Sequence, residues 1–276
     1  MRPKGGTTLP DIPRALSIAG SDSGGGAGVQ ADLKTFSALG VYGMTAITAV
    51  TVQNTQGVSG YQEIDPDTVA SQVAAVLDDI GAGAVKTGML ASTGIIRAIA
   101  GALRGATIPN LVVDPVFVSK HGHALLREDA VDALKDELLP LATLVTPNTH
   151  EAAGLAGFEV DSRGDMVRAA EVILDFGCEA VLMKGGHLEG DVAADLLFHD
   201  GIHEWLEAPR IDTKNTHGTG CTLSAAITAY LARGEDLASA VRSGKTFVTE
   251  AIRHSLTLGK GIGPVNPLWK TLPSGS

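Results

Sequence analysis

Short apolar runs of strand length alternate with segments of helical period from one end of this chain to the other, and that alternation decides the class of fold. Arg14–Ala19, Met44–Val52, Ala84–Thr87, Leu111–Asp114, Thr143–Thr146 and Ala180–Lys184 read as buried strands. Helical patterns lie between them. The first runs from the loop Gly20–Gly26 to about Leu39, and the second from Asp65 to Ile80 with Pro66 in its first turn. Others are Ser92–Leu103 with Ser92 as cap, about Glu128–Leu139, Thr149–Leu155 and Asp165–Phe176; Thr219–Arg233 and Asp236–His254 close the chain. Such repetition predicts a mostly parallel sheet with helices on both faces. Two segments break the rhythm. Val58–Ile64 alternates as a small flap strand, and Ala194–Phe198 and Ile202–Leu206 flank His199–Gly201 as a hairpin. No linker or internal repeat interrupts the pattern, so one α/β domain is expected over residues 14–268. A disordered tail, 1–13, would precede it and a short tail, 269–276, would follow.

Composition narrows the function. Aromatic residues make up only 4% of the 276 residues, so the core must be built from Ala, Val, Leu and Ile. A net charge of −10 with no run of Lys or Arg argues against nucleic-acid binding. Two cysteines cannot make a disulfide framework, and Cys178, just before a strand, reads as packing. Met1–Pro13 lacks the apolar core of a signal peptide, and no apolar segment approaches membrane-spanning length. A cytoplasmic protein without membrane contact is the expectation.

In a parallel sheet ligands bind beyond the carboxyl ends of the strands. Polar residues gather at those ends: Gly20–Ser23, Gln53 and Asn54, Lys86–Gly88, Asp114, Asn148 and Lys184–His187. The most telling segment is Asn215–Leu231, where Gly218, Thr219 and Gly220 run straight into a string of helix formers. The first N–H groups of a helix lack partners within it, and the helix dipole adds positive charge there. Glycines let those groups converge into a cradle for a phosphate. Cys221 stands at its lip, where a thiol is most easily ionised. An anion hole beside a base is what phosphoryl transfer to an alcohol needs; the simpler alternative is a tight turn and a packed cysteine.

Other residues add pieces. The Gln53 amide can pair with a ring nitrogen and a neighbouring amine. Asn148 and Glu151 share the first turn of a helix and could hold hydrated Mg²⁺ against phosphate oxygens, with Asp114 a second candidate. They would serve equally as a helix cap. Lys184 closes a strand within reach of a phosphate. The loop Ser21–Gly28 lacks the lysine of an ATP phosphate loop, and His121 and His123 have no partners at zinc spacing.

Together these segments resemble the ribokinase-like superfamily, and within it the hydroxymethylpyrimidine and phosphomethylpyrimidine kinases of thiamine biosynthesis. The resemblance runs from about Ala15 to Asn266 and rests on Ala19–Phe36, Gln53–Thr55, Lys86–Leu90, Thr146–Asn148 with Glu151, Met183–His187, Lys214–Ser224 and Gly261–Asn266. It implies a three-layer fold and a homodimeric enzyme. By the same likeness, MgATP would phosphorylate an aminopyrimidine alcohol and then its phosphate. Gln53, Gly20, Asp32 and Met89 would bind that substrate, and Gly218, Thr219 and Gly220 would form the anion hole, with Cys221 as base. Lys184, Asn148, Thr216 and Lys214 would bind ATP, and Glu151 and Asp114 would organise magnesium. The chain departs from the common pattern at Val116–Gly122, which is bulkier and more basic, and at Pro267.

Sugar kinases of the superfamily carry aspartate where Cys221 sits. A fixed carboxylate would repel a phosphorylated acceptor, so a mostly neutral thiol would let one site serve both phosphorylations. The rival readings are a pyridoxal or pyridoxine kinase of the same fold and a non-catalytic nucleotide-sensing protein. Gln53 favours the pyrimidine, because the pyridine lacks an amino group beside a ring nitrogen.

Overall fold

The computed structural model describes residues 12–117, 125, 129–186, 188 and 190–272. His121, His123 and His187, most of Val116–Gly122 and both chain ends lie outside the described residues, and so do the expectations placed on them. The strands are β1 (Arg14–Ser21), β2 (Tyr42–Asn54), β3 (Gly57–Glu63), β4 (Ala84–Thr87), β5 (Leu111–Val113), β6 (Leu144–Val145), β7 (Ala180–Met183), β8 (Val192–His199) and β9 (Ile202–Pro209). The helices are α1 (Gly28–Ala38), α2 (Pro66–Asp79), α3 (Thr93–Arg104), α4 (Ala130–Ala133), α5 (Thr149–Ala156), α6 (Arg163–Leu174), α7 (Thr219–Ala232) and α8 (Leu237–Arg253).

All these strands join one sheet in the order β3-β2-β1-β4-β5-β6-β7-β8-β9. The run from β2 to β7 is parallel; β3 adds antiparallel at one edge, and β8 and β9 add antiparallel at the other. Alternate strand residues therefore face opposite layers. Leu16, Ile18, Val85, Val113 and Val181 pack with Ile95, Ile99, Met166 and Ile173 of α3 and α6. Val112, Leu144 and Leu182 pack with Leu223 and Ile227 of α7 and Val241 of α8. Both faces are covered, which is why these strands read as continuous apolar runs. The expected α/β class, with helices on both faces and a small flap, holds.

Local differences have local causes. Asp65 accepts from the amides of Asp67 and Thr68, and Pro66 opens α2 as expected. Ser92 stands at the N-cap of α3, but its hydroxyl makes no capping bond. The helix expected to reach Leu139 is α-helical only over Ala130–Ala133, then widens into a π turn at Leu134–Leu138, with Leu139 N–H bonded to Leu134 O. Pro140 follows in a 3₁₀ turn, having no N–H with which to continue an α-helix. The described part of the expected C-terminal tail is docked: Trp269 packs edge-on against Phe247 of α8, ring centres 4.6 Å apart.

The order of strands places a ligand. After β1 the chain moves outward to β2 and β3, then returns to place β4 on the other side of β1. Loops that diverge from neighbouring strand ends leave a crevice there. It is bounded by Gly20–Ala27, Gly88–Ala91 and the first turn of α7.

Candidate active site

The alternation that buries the strands also aims their last residues. On the face covered by α7, the apolar positions Ala15, Ala84, Val112, Leu144 and Leu182 are followed two residues later by Ser17, Lys86, Asp114, Thr146 and Lys184. A polar row thus lies beneath the start of α7. Lys184 Nζ is 2.8 Å from Asp114 Oδ1 and 3.7 Å from Glu151 Oε2. Thr146 and Ser224 also donate to Asp114, at 3.1 and 3.2 Å. Burial opposes charge on Asp114, but Lys184 and Lys86 outweigh it and hold its carboxyl below the usual range. Glu151 is pushed up to about 7 by burial, against the pull of Lys184.

Asn148 and Glu151 form a reciprocal capping box: Asn148 N–H donates to Glu151 Oε2 at 2.7 Å, and Glu151 N–H to Asn148 Oδ1 at 2.9 Å. Glu151 Oε1 makes no hydrogen bond among the described residues. Capping and site geometry are therefore not rival readings, since the cap aims the second carboxylate oxygen.

Gly218 is the N-cap of α7 with φ +79°, and a Cβ there would lie 1.8 Å from Gly26 O. Only glycine permits that backbone and that approach. The N–H groups of Gly220 and Cys221 find no backbone acceptor among the described residues. A Cβ on Gly220 would sit 3.4 Å from Lys184 Nζ, so the start of α7 lies against that ammonium. Thr219 instead closes the turn, its hydroxyl donating to Thr216 O at 2.8 Å. Lys214 is exposed beside this turn.

Cys221 does not behave as the helix terminus alone suggests. Burial pushes its thiol up to about 11; Lys86 and the Gly28 amide pull the other way, and Asp32 and Asp114 add to the rise. The easily ionised thiol expected from the helix start is not favoured here: the surroundings of Cys221 raise its thiol rather than lower it. Asp32 lies beneath the site. Lys86 Nζ is 2.9 Å and Ser17 Oγ 2.5 Å from Asp32 Oδ2, and both Lys86 and Asp32 are fully enclosed. Asp32 is fully buried, paired with Lys86 and Ser17, and reaches the site through that pairing and through its charge on Cys221.

Gly20 and Met89 meet as one wall, since a Cβ on Gly20 would lie 3.0 Å from Met89 Sδ. Met89 is held by Thr48, whose hydroxyl donates to Met89 O at 2.6 Å. Gln53 lies one residue before the end of β2, its backbone clamped by Ser23 at 2.7 and 2.9 Å. Two residues given no role from sequence join it. His217 Nε2 is 2.9 Å from Asp22 Oδ2 and 3.3 Å from Gln53 Nε2. Asp22 also accepts from the amides of Gly24, Gly26 and Ala27. An aspartate heading a glycine-rich loop was the available signal, because such a side chain gathers nearby amides. Cys178, as expected, is buried packing, donating to Ile173 O at 3.5 Å.

No group of three or more His, Cys, Asp or Glu among the described residues could hold a metal by itself. A cation that keeps waters and phosphate oxygens as ligands needs only one or two carboxylates. The free oxygen of Glu151 fits that need. Asp114, already engaged by Lys184, Thr146 and Ser224, fits an indirect part.

Comparison with known proteins gives the family. The family model described as phosphomethylpyrimidine kinase matches residues 22–266. The hydroxymethylpyrimidine/phosphomethylpyrimidine kinase of Streptomyces coelicolor is 52% identical over 257 residues, covering 93% of this chain and 95% of that one. The thiamine biosynthesis bifunctional protein ThiED of Geobacter sulfurreducens is 49% identical over 91% of this chain and 51% of its own length. Among solved structures, the ADP complex of Bacillus subtilis pyridoxal kinase superposes with a TM-score of 0.87 at 43% identity, covering 92% of this chain and 97% of that one.

Proposed function

The chain belongs to the phosphomethylpyrimidine kinase family, and from that premise we propose how its own residues carry the reaction. It is an ATP-dependent phosphotransferase that phosphorylates 4-amino-5-hydroxymethyl-2-methylpyrimidine and then the monophosphate, giving the pyrophosphate used in thiamine biosynthesis. The observation that carries the residue assignment is the pair of amides on Gly220 and Cys221 without a backbone acceptor, at a helix start that lies against Lys184. Phosphoryl transfer needs little covalent help and much charge stabilisation. The amides hold the equatorial oxygens of the migrating group, and Lys184 neutralises their charge. Gln53 reads the amino group and ring nitrogen against the Gly20–Met89 wall, which points the hydroxymethyl group at the amides. Asn148, Thr216 and Lys214 line the approach of the nucleotide.

Magnesium, when bound, neutralises the outer phosphates. Glu151 would hold it, and Asp114 acts by fixing Lys184. Cys221 is the neutral wall of the acceptor site, able to lose its proton rarely but never forcing a permanent charge on a phosphorylated acceptor. The enzyme works in the cytoplasm, where ATP is supplied; no helix among the described residues is long and apolar enough to cross a membrane. Its single catalytic domain spans residues 14–268. A second copy covers the sheet edge at the flap, where Val52 and Val50 of β2 are 64% and 48% exposed.

The test is mass spectrometry of products after incubation with the pyrimidine alcohol, ATP and magnesium, with one and then two added phosphates expected. Pyridoxal is the comparison substrate, because a pyridoxal kinase shares the architecture. Faster turnover of pyridoxal would replace the substrate assignment, and nucleotide binding without transfer would end the catalytic one. Sedimentation of the wild type and Val52→Lys tests the dimer.

A further inference from the structure

Gln53 meets two neighbours whose hydrogen-bonding sense is set elsewhere. Asp22 is buried, yet the bond from His217 and the amides of Gly24 and Ala27 outweigh burial and hold its carboxyl below the usual range. An ionised carboxylate only accepts. His217 Nε2, 2.9 Å away, must therefore carry a proton whether the ring is neutral or cationic. Gln53 Nε2 stands 3.3 Å from that same nitrogen, so N–H faces N–H. On the other side, Thr51 gives its one hydroxyl proton to Ser21 O at 2.8 Å. Its oxygen then turns lone pairs toward Gln53 Oε1, 3.3 Å away. Both contacts are mismatched in the same sense. A half-turn of the amide about its terminal torsion exchanges nitrogen and oxygen with little change of shape, and it mends both at once.

We propose that the Gln53 carbonyl points toward His217 and its NH₂ toward Thr51, and that Asp22, His217 and Thr51 thereby fix which substrate edge Gln53 can read. The inference rests on the proposed reading of Gln53 as the residue that recognises the aminopyrimidine. A glutamine free to turn over pairs equally well with an amino group beside a bare ring nitrogen and with a carbonyl beside a ring N–H. A locked one pairs with a single sense. A 4-oxo pyrimidine would have to turn its ring over, which carries its hydroxymethyl group away from the Gly220 and Cys221 amides. Sites whose buried polar groups are left unpaired by the wrong ligand reject it by large factors. His217 and Thr51 are positioning residues in this scheme, acting through Gln53.

Two measurements test it. In the ligand-free, ¹⁵N-labelled protein, nuclear Overhauser contacts should link the Gln53 side-chain NH₂ protons to the Thr51 methyl group. Contacts to the His217 Hε1 proton with none to Thr51 would overturn the proposal, whatever the substrate proves to be. In kinetics, the wild type should favour the 4-amino over the 4-oxo alcohol by about 100-fold or more in kcat/KM. Thr51→Val and His217→Leu should each bring that ratio below about 10-fold with the KM for ATP unchanged, and Thr51→Ser and His217→Gln should restore it. Discrimination kept in both Thr51→Val and His217→Leu would refute the lock. If neither alcohol is phosphorylated while the Overhauser contacts run to Thr51, the proposed substrate fails and the orientation stands.

Discussion

Replacing Cys221 by aspartate should separate the two phosphorylations. The thiol is pushed from 9.0 to about 11, chiefly by burial, even though Lys86 and the Gly28 amide favour the thiolate. A rise of that size means a negative charge at this position costs roughly 3 kcal/mol more than in water. An aspartate there meets the same burial and the same carboxylates of Asp32 and Asp114. When the acceptor is itself a phosphate, a second penalty adds. Unit charges ~4 Å apart at an effective dielectric of ~20 repel by about 4 kcal/mol, which is a factor of roughly 10³ in rate. The neutral alcohol escapes that second penalty and gains a fixed base. Cys221→Asp should therefore lose about 10³-fold in kcat/KM on the monophosphate and stay within about tenfold of wild type on the alcohol. Cys221→Ala should do the reverse, slowing the alcohol more than the monophosphate. The assay is steady-state phosphorylation of each acceptor supplied separately. Equal losses on both acceptors in either variant would refute the reasoning that a neutral side chain is what lets one site serve two substrates.

Lys184→Met strands the Asp114 carboxyl, 2% exposed, without its ammonium partner, and should lower unfolding free energy by about 3–5 kcal/mol in urea. Adding Asp114→Asn should recover part of that loss, and an unchanged midpoint in the single variant would count against the pairing. Gly218→Ala forces a Cβ to within 1.8 Å of Gly26 O and a left-handed backbone on alanine. It should cost at least about 2 kcal/mol of stability and about 100-fold or more in kcat; full activity would mean the cradle is not built from this backbone. Cys178 and Cys221 are both raised to about 11, so thiolate absorbance at 240 nm should stay flat through pH 9. Because the folded value lies above the unfolded one, each thiol's contribution to stability is complete below about 9 and is lost as pH rises through 11. A Cys221 titration near neutrality would contradict a thiol raised by its surroundings.

Much of the site could be read without coordinates because it is built from strand ends. Period-2 alternation buries Val112 and Leu182, and the same alternation aims Asp114 and Lys184, two residues on, toward the same side. The glycines at 218 and 220 likewise carry their meaning locally. Asp32 shows where local reading stops. Sequence places it near the substrate, but nothing in α1 alone says that Lys86, 54 residues away, seals it under the sheet. The pairing of Asp22 with His217, 195 residues apart, is silent in sequence for the same reason.

The sequence alone determined the layered α/β class, the gathering of polar residues at one end of the strands and the glycine-opened start of α7, since each follows from spacing along a few consecutive residues. Only the tertiary structure decided the direction in which the Cys221 thiol shifts and the partners of Gln53. Desolvation and charge pairing depend on what surrounds a group in three dimensions, and at Cys221 that surrounding overrides the helix terminus on which the thiol sits.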